Sequence, residues 1–151
     1  GSVNTKTHDI FTTVYDLIWS GVFERNPGLK TVMVEGEIGW APFLLQQYDY
    51  YFRRFTKPGH PDGNFAISRL PSEIFKDHMY LTFMDDLTGG HALNYWGERN
   101  CMWSSDYPHP NMTWPNSRAF IARQIGDLDP EKQARVLARN CIELYGLDIK
   151  I

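Results

Sequence analysis

Apolar side chains recur at Ile10, Phe11, Val14, Tyr15, Leu17, Ile18 and Val22, the i, i+3, i+4, i+7 spacing of an amphipathic helix over residues 9–22. Asn26-Pro27-Gly28 marks a turn. The pattern then changes to a short β-branched run, Thr31 to Glu35, which reads as a buried strand closed by Gly36. Pro42 suits the first turn of a second helix, carried to about Arg54 by Phe43, Leu44, Tyr48, Tyr51, Phe52 and Phe55. Residues 56–70 are rich in Pro and Gly and predict a long surface loop. A helical turn over 71–75 leads to a strand at 78–84, a short helix over 88–98 and a third strand at 101–105. Asn116 opens a helix to Ile125. Asp129-Pro130-Glu131 places an N-cap, a first-position proline and an acid in sequence at the start of the last helix. That helix should bury Ala134, Leu137, Ala138, Cys141, Ile142 and Tyr145 and stop at Gly146. Strands alternating with helices imply an α/β fold with a parallel sheet.

Composition narrows the functional classes. The 151 residues are 42% hydrophobic and 15% aromatic, enough for one packed domain over 1–151. A net charge of −3, with no basic run beyond Arg53-Arg54, argues against nucleic acid or a polybasic membrane patch as partner. No apolar stretch approaches a membrane span, the leading Gly-Ser reads as a tag scar, and a signal peptide is not evident. Cys101 and Cys141 read as small buried hydrophobes, which fits a cytoplasmic protein.

In parallel α/β folds ligands bind beyond the carboxyl ends of the strands. Here those ends carry Glu35-Gly-Glu37, Asp85-Asp86 and Asp106-Tyr-Pro-His109, carboxylates and a His suited to a divalent metal or to acid/base work. Asp106 is the leading catalytic or metal-binding candidate, although an Asp in such a loop also caps its own backbone. Glu35, Trp40 and His109 are candidates to contact substrate. Glu37 reads as a solvated acid, Asp85 and Asp86 as caps of the next helix, His60 as solvent-exposed, and His8 and His78 as structural. Trp103 and Trp114 are expected mainly to pack, with Trp114-Pro115 able to wall a pocket.

The stretches Val34-Glu-Gly-Glu-Ile-Gly-Trp-Ala-Pro42, Phe83-Met-Asp-Asp86, Ser104-Ser-Asp-Tyr-Pro-His109 and Ala138-Arg-Asn-Cys-Ile-Glu-Leu-Tyr-Gly-Leu-Asp148 carry a resemblance. They resemble the sixth, seventh and eighth strands and the closing helix of the amidohydrolase-related metal-dependent hydrolases, the group that includes aminocarboxymuconate-semialdehyde decarboxylase-like enzymes. The resemblance implies the C-terminal portion of a TIM (β/α)8 barrel, since a complete barrel needs about 250 residues. It implies that Asp106 is the metal ligand or catalytic acid/base. The family's His-x-His pair and fifth-strand His have no counterpart here, and a catalytic zinc takes three protein ligands.

The resulting expectation is part of a metal-dependent enzyme, with zinc as the implied cofactor, that hydrolyses or decarboxylates a small carboxylate-bearing compound. The implied partner is a second copy, in a homo-oligomer, or a complementing chain that carries the missing strands. The contrasting expectation is a non-catalytic α/β fragment that self-associates or binds a small molecule.

Overall fold

The structure, a computed structural model, describes residues 5–61 and 63–150. Its elements are α1 (Thr5–Trp19), α2 (Val22–Arg25), β1 (Thr31–Met33), α3 (Ala41–Phe55), α4 (Pro71–His78), β2 (Met79–Phe83), α5 (Leu87–Trp96), β3 (Cys101–Trp103), α6 (Ser117–Ile125) and α7 (Pro130–Ala134). A π-helical turn, Arg135–Arg139, then leads into α8 (Asn140–Tyr145). The three strands form one sheet in the order β1-β2-β3, with β2 and β3 parallel in the register Leu81 to Cys101 and Phe83 to Trp103. Among the described residues, no helix is long and apolar enough to cross a membrane.

Every strand is shorter than its hydrophobic run. At β1 the reason is local: Glu35 has φ 57°, a left-handed backbone that cannot continue a ladder. At β2 the preceding helix runs to His78, so His78 belongs to α4 rather than to the strand.

The chain divides into two compact units. The first comprises Gly1–Met33 and Ala41–Tyr80. Its core holds Val14, Ile18, Phe23, Leu45, Phe52, Ile74 and Phe75. Trp19 of α1 meets Tyr48, Phe52 and Phe65 with ring centroids 6.0, 6.2 and 4.9 Å apart. The segment 56–70 has no helix or strand among its described residues, yet it is more than a surface loop. Ile67 is buried, Phe65 joins the aromatic cluster, and Ser68 donates N–H and O–H to Glu24. Gly21, at φ 71°, lets this segment approach, since a Cβ there would lie 2.3 Å from the Ala66 carbonyl oxygen. Asp49 caps α4 by accepting from the Ser72 amide at 2.9 Å and its hydroxyl at 2.7 Å. His78 is structural, stacked on Phe23 and within 2.9 Å of the Leu29 carbonyl, whereas His8 is exposed.

The second unit comprises Val34–Trp40 and Leu81–Ile151. Ile38, Leu81, Phe83, Leu93, Cys101, Ile125 and Val136 form its core. Asp129 caps α7 through the Glu131 amide at 2.9 Å, and Gly146 ends α8 at φ 61°. Within the last helix the inward positions are Val136 and Asn140, while Leu137 and Tyr145 are exposed. A π turn bonds i to i+5 and carries an extra residue, so a face drawn with uniform α-helical spacing drifts off the core. Both cysteines are free, with Cys101 buried and Cys141 half-buried.

Candidate active site

Three connections of the second unit leave the carboxyl ends of the strands, and the residues after β1 are held by those after β2. The Asp86 carboxylate accepts from the amides of Ile38 at 2.8 Å, Gly39 at 2.5 Å and Gly89 at 2.7 Å. It therefore caps α5, as expected, and also fastens the Val34–Trp40 loop. Two glycines make room for it: a Cβ at Gly39 would lie 2.9 Å from the carboxylate, and one at Gly89 2.4 Å. Asp85 is not a cap; it pairs with Arg123. Gln124, 2% exposed, accepts from the Asp86 amide at 2.7 Å and donates to the Met84 carbonyl at 3.0 Å, fixing the β2 exit from α6.

Glu37 departs from its expected role as a solvated acid. Half-buried, it accepts from the amides of Met84 at 3.1 Å and Asp85 at 3.5 Å. Burial holds its carboxyl above the usual range against the pull of those amides, and the charges of Asp86 and Asp85 add to the rise. Glu35 is exposed at the loop's start, and its amide donates to Thr82 Oγ1 at 2.8 Å. Trp40 closes the loop by donating its indole N–H to the Gly36 carbonyl at 2.8 Å.

The β3 exit brings a carboxylate and an imidazole together. Ser104 continues the ladder with one bond to the Phe83 carbonyl at 2.9 Å, and the chain then turns at Asp106, φ 58°. The His109 amide closes the turn on the Asp106 carbonyl at 2.8 Å. This brings His109 Nδ1 to 3.0 Å from Asp106 Oδ2, with the Asp side chain 17% and the His side chain 60% exposed. A sheltered carboxylate beside a solvent-facing imidazole is an arrangement that can hold and exchange a proton. Thr113, buried, anchors the far side of the loop through its amide to the Ser105 carbonyl at 3.0 Å and its hydroxyl to Ser117 at 2.9 Å.

Asp106 and His109 are thus brought together, whereas Glu35 and Trp40 are tied through the β1 exit loop. Among the described residues no group of three or more His, Cys, Asp or Glu is placed to hold a metal ion. Asp106 fits a metal as one carboxylate donor, but the residues present do not complete a set of three. The structural work of Glu37 and Gln124 escaped sequence reasoning, because their partners are backbone amides and carbonyls 38 to 48 residues away in sequence.

The chain belongs to the amidohydrolase family, whose model matches residues 4–147. No curated protein matches it. Among solved structures it is similar to 5-carboxyvanillate decarboxylase from Sphingomonas paucimobilis, at 26% identity and a TM-score of 0.69 over 90% of this chain and 39% of that one. It is also similar to a dihydroxybenzoic acid decarboxylase from Polaromonas sp. JS666, solved with bound manganese and the inhibitor 2-nitroresorcinol (19% identity, TM-score 0.70, 93% of this chain and 40% of that one). An amidohydrolase from Mycobacterium avium subsp. paratuberculosis K-10 gives a TM-score of 0.73 at 18% identity, over 92% of this chain and 34% of that one. The chain therefore spans well under half the length of these relatives. Their fold and the parallel sheet establish the α/β architecture as that of part of a TIM barrel.

Proposed function

We propose that this chain supplies the last strands and the acid/base pair of an amidohydrolase-type enzyme that decarboxylates a small aromatic carboxylate. The observation that carries this reading is Asp106 itself. It takes a left-handed backbone in the loop that leaves β3, and its carboxylate sits 3.0 Å from the His109 ring. A left-handed backbone recurs at functional sites, and here it coincides with the contact to His109, which Glu35 and Glu37 do not share. In decarboxylation the bond from ring to carboxylate breaks, its electron pair stays on the ring carbon, and a proton must reach that carbon as CO2 leaves. Asp106 delivers the proton, and His109, open to solvent, returns one to it. For hydrolysis of a C–N or ester bond the same carboxylate would take a proton from water. The decarboxylase relatives favour the first reaction.

Glu35 and Trp40 are proposed to border the substrate from the β1 exit. A divalent metal, zinc by family resemblance and manganese in one relative, supplies Lewis-acid chemistry when bound. Its remaining ligands are proposed to come from the part of the barrel outside the described residues, and the chain is proposed to work as a homo-oligomer or beside a chain that carries the missing strands.

The test is CO2 release from 5-carboxyvanillate and 2,6-dihydroxybenzoate by the assembled protein loaded with zinc or manganese. Asp106→Asn should lower kcat by at least about a hundredfold with the fold intact, in line with the loss of an acid/base group. His109→Gln should lower it less and alter the pH profile. Undiminished turnover in Asp106→Asn sinks the proposal.

A further inference from the structure

The loop that presents Asp106 and His109 also holds two large aromatic rings in the open. Tyr107 is 65% and Trp114 60% exposed. They meet edge to face, with centroids 6.0 Å apart and planes at 67°. Single exposed aromatics are ordinary, and Tyr95 on α5 is one. This pair differs in being built. Tyr107 follows Asp106 directly, and its amide is within 3.4 Å of Ser105 Oγ. Trp114 follows Thr113, which is buried and bonded to both Ser105 and Ser117. Both backbones are therefore fixed while both rings are left to solvent.

An edge-to-face pair presents a corner, the face of one ring beside the edge of the other. A third flat ring entering that corner stacks on one partner and meets the other edge-on, the two geometries aromatic rings favour. We infer that Tyr107 and Trp114 form a jaw that receives the ring of an aromatic carboxylate next to the Asp106–His109 pair and selects it over a saturated acid of the same charge. This rests on the decarboxylase reading and adds the residues that make it specific for planar substrates. An aliphatic ring lacks the flat π-face that the corner matches, so the discrimination lies in shape and quadrupole rather than in charge.

The experiment is calorimetric titration of the same assembled, metal-loaded protein with 2,6-dihydroxybenzoate and with cyclohexanecarboxylate, using wild type, Trp114→Leu, Trp114→Phe and Tyr107→Leu. Circular dichroism checks the fold of each variant. Wild type should prefer the aromatic acid. Trp114→Leu and Tyr107→Leu should each weaken it roughly five- to tenfold, leaving cyclohexanecarboxylate unchanged, and Trp114→Phe should restore most of the preference. An unchanged aromatic-to-saturated ratio in both leucine variants overturns the jaw while the decarboxylase reading stands, as does equal weakening of both acids. Failure of the wild type to bind either acid counts against the decarboxylase reading itself, and the jaw falls with it.

Discussion

Three acidic residues, Glu35, Glu37 and Asp106, adopt left-handed φ values of 57°, 55° and 58° at the exits of β1 and β3. Each such residue costs on the order of 1–2 kcal/mol relative to its ordinary backbone, so the surroundings must impose the conformation. At Glu37 they do so through two amide bonds to the carboxylate, and the same half-burial raises its proton affinity. The folded state then binds a proton at Glu37 more tightly than the unfolded chain, whose ordinary value is 4.5. This group's contribution to stability is full below that value and is lost as pH rises through the higher folded value. Glu37→Gln does not titrate, so urea midpoints for wild type and variant between pH 4 and 7 isolate the effect. The stability difference should move in favour of wild type as the pH falls. Movement the other way would mean that the amides of Met84 and Asp85 outweigh burial.

At the level of elements, one side chain of the last helix holds β3 by hydrogen bonds. Asn140, 2% exposed, donates its amide to the carbonyls of Glu98 at 2.7 Å and Cys101 at 2.8 Å, fixing the start of the strand whose exit leads to Asp106. Asn140→Ala leaves two acceptors without their donor and should cost about 2 kcal/mol, an unsatisfied buried polar group being worth 1–3. Asn140→Asp, which has no N–H to offer, should cost at least as much. Equilibrium urea denaturation measures both, and a loss below about 0.5 kcal/mol would show the contact to be dispensable. Existence and type of elements were legible because they rest on local pattern: the α1 face with Val14 and Ile18 buried, the Asp129-Pro130 start, the Gly146 stop. Asn140 was not legible as an inward residue, since the π turn that swings it inward leaves no mark in a hydrophobic pattern. The site was legible in part for the same reason. Asp106 and His109 sit three residues apart and could be read together, whereas the hold of Asp86 on Ile38 and Gly39 spans 48 and 47 residues.

For the molecule as a whole, the governing fact is that it spans 39% of the length of its 5-carboxyvanillate decarboxylase relative. In the sheet order β1-β2-β3 the outer strands have one described neighbour each, and open strand edges invite pairing with another chain. On α3, Phe43, Tyr50 and Tyr51 are exposed at i, i+7 and i+8, two turns apart along the helix, an apolar patch that solvent does not favour. Both features lead to the same expectation as the ligand count at Asp106, that this chain works in association. Light scattering should give a mass above that of the monomer, rising with concentration. Replacing Phe43, Tyr50 and Tyr51 together by Ser should shift the mass toward the monomer without altering the circular dichroism spectrum, because none of the three belongs to the buried core. A concentration-independent monomer in the wild type would remove the argument for association from exposed surface.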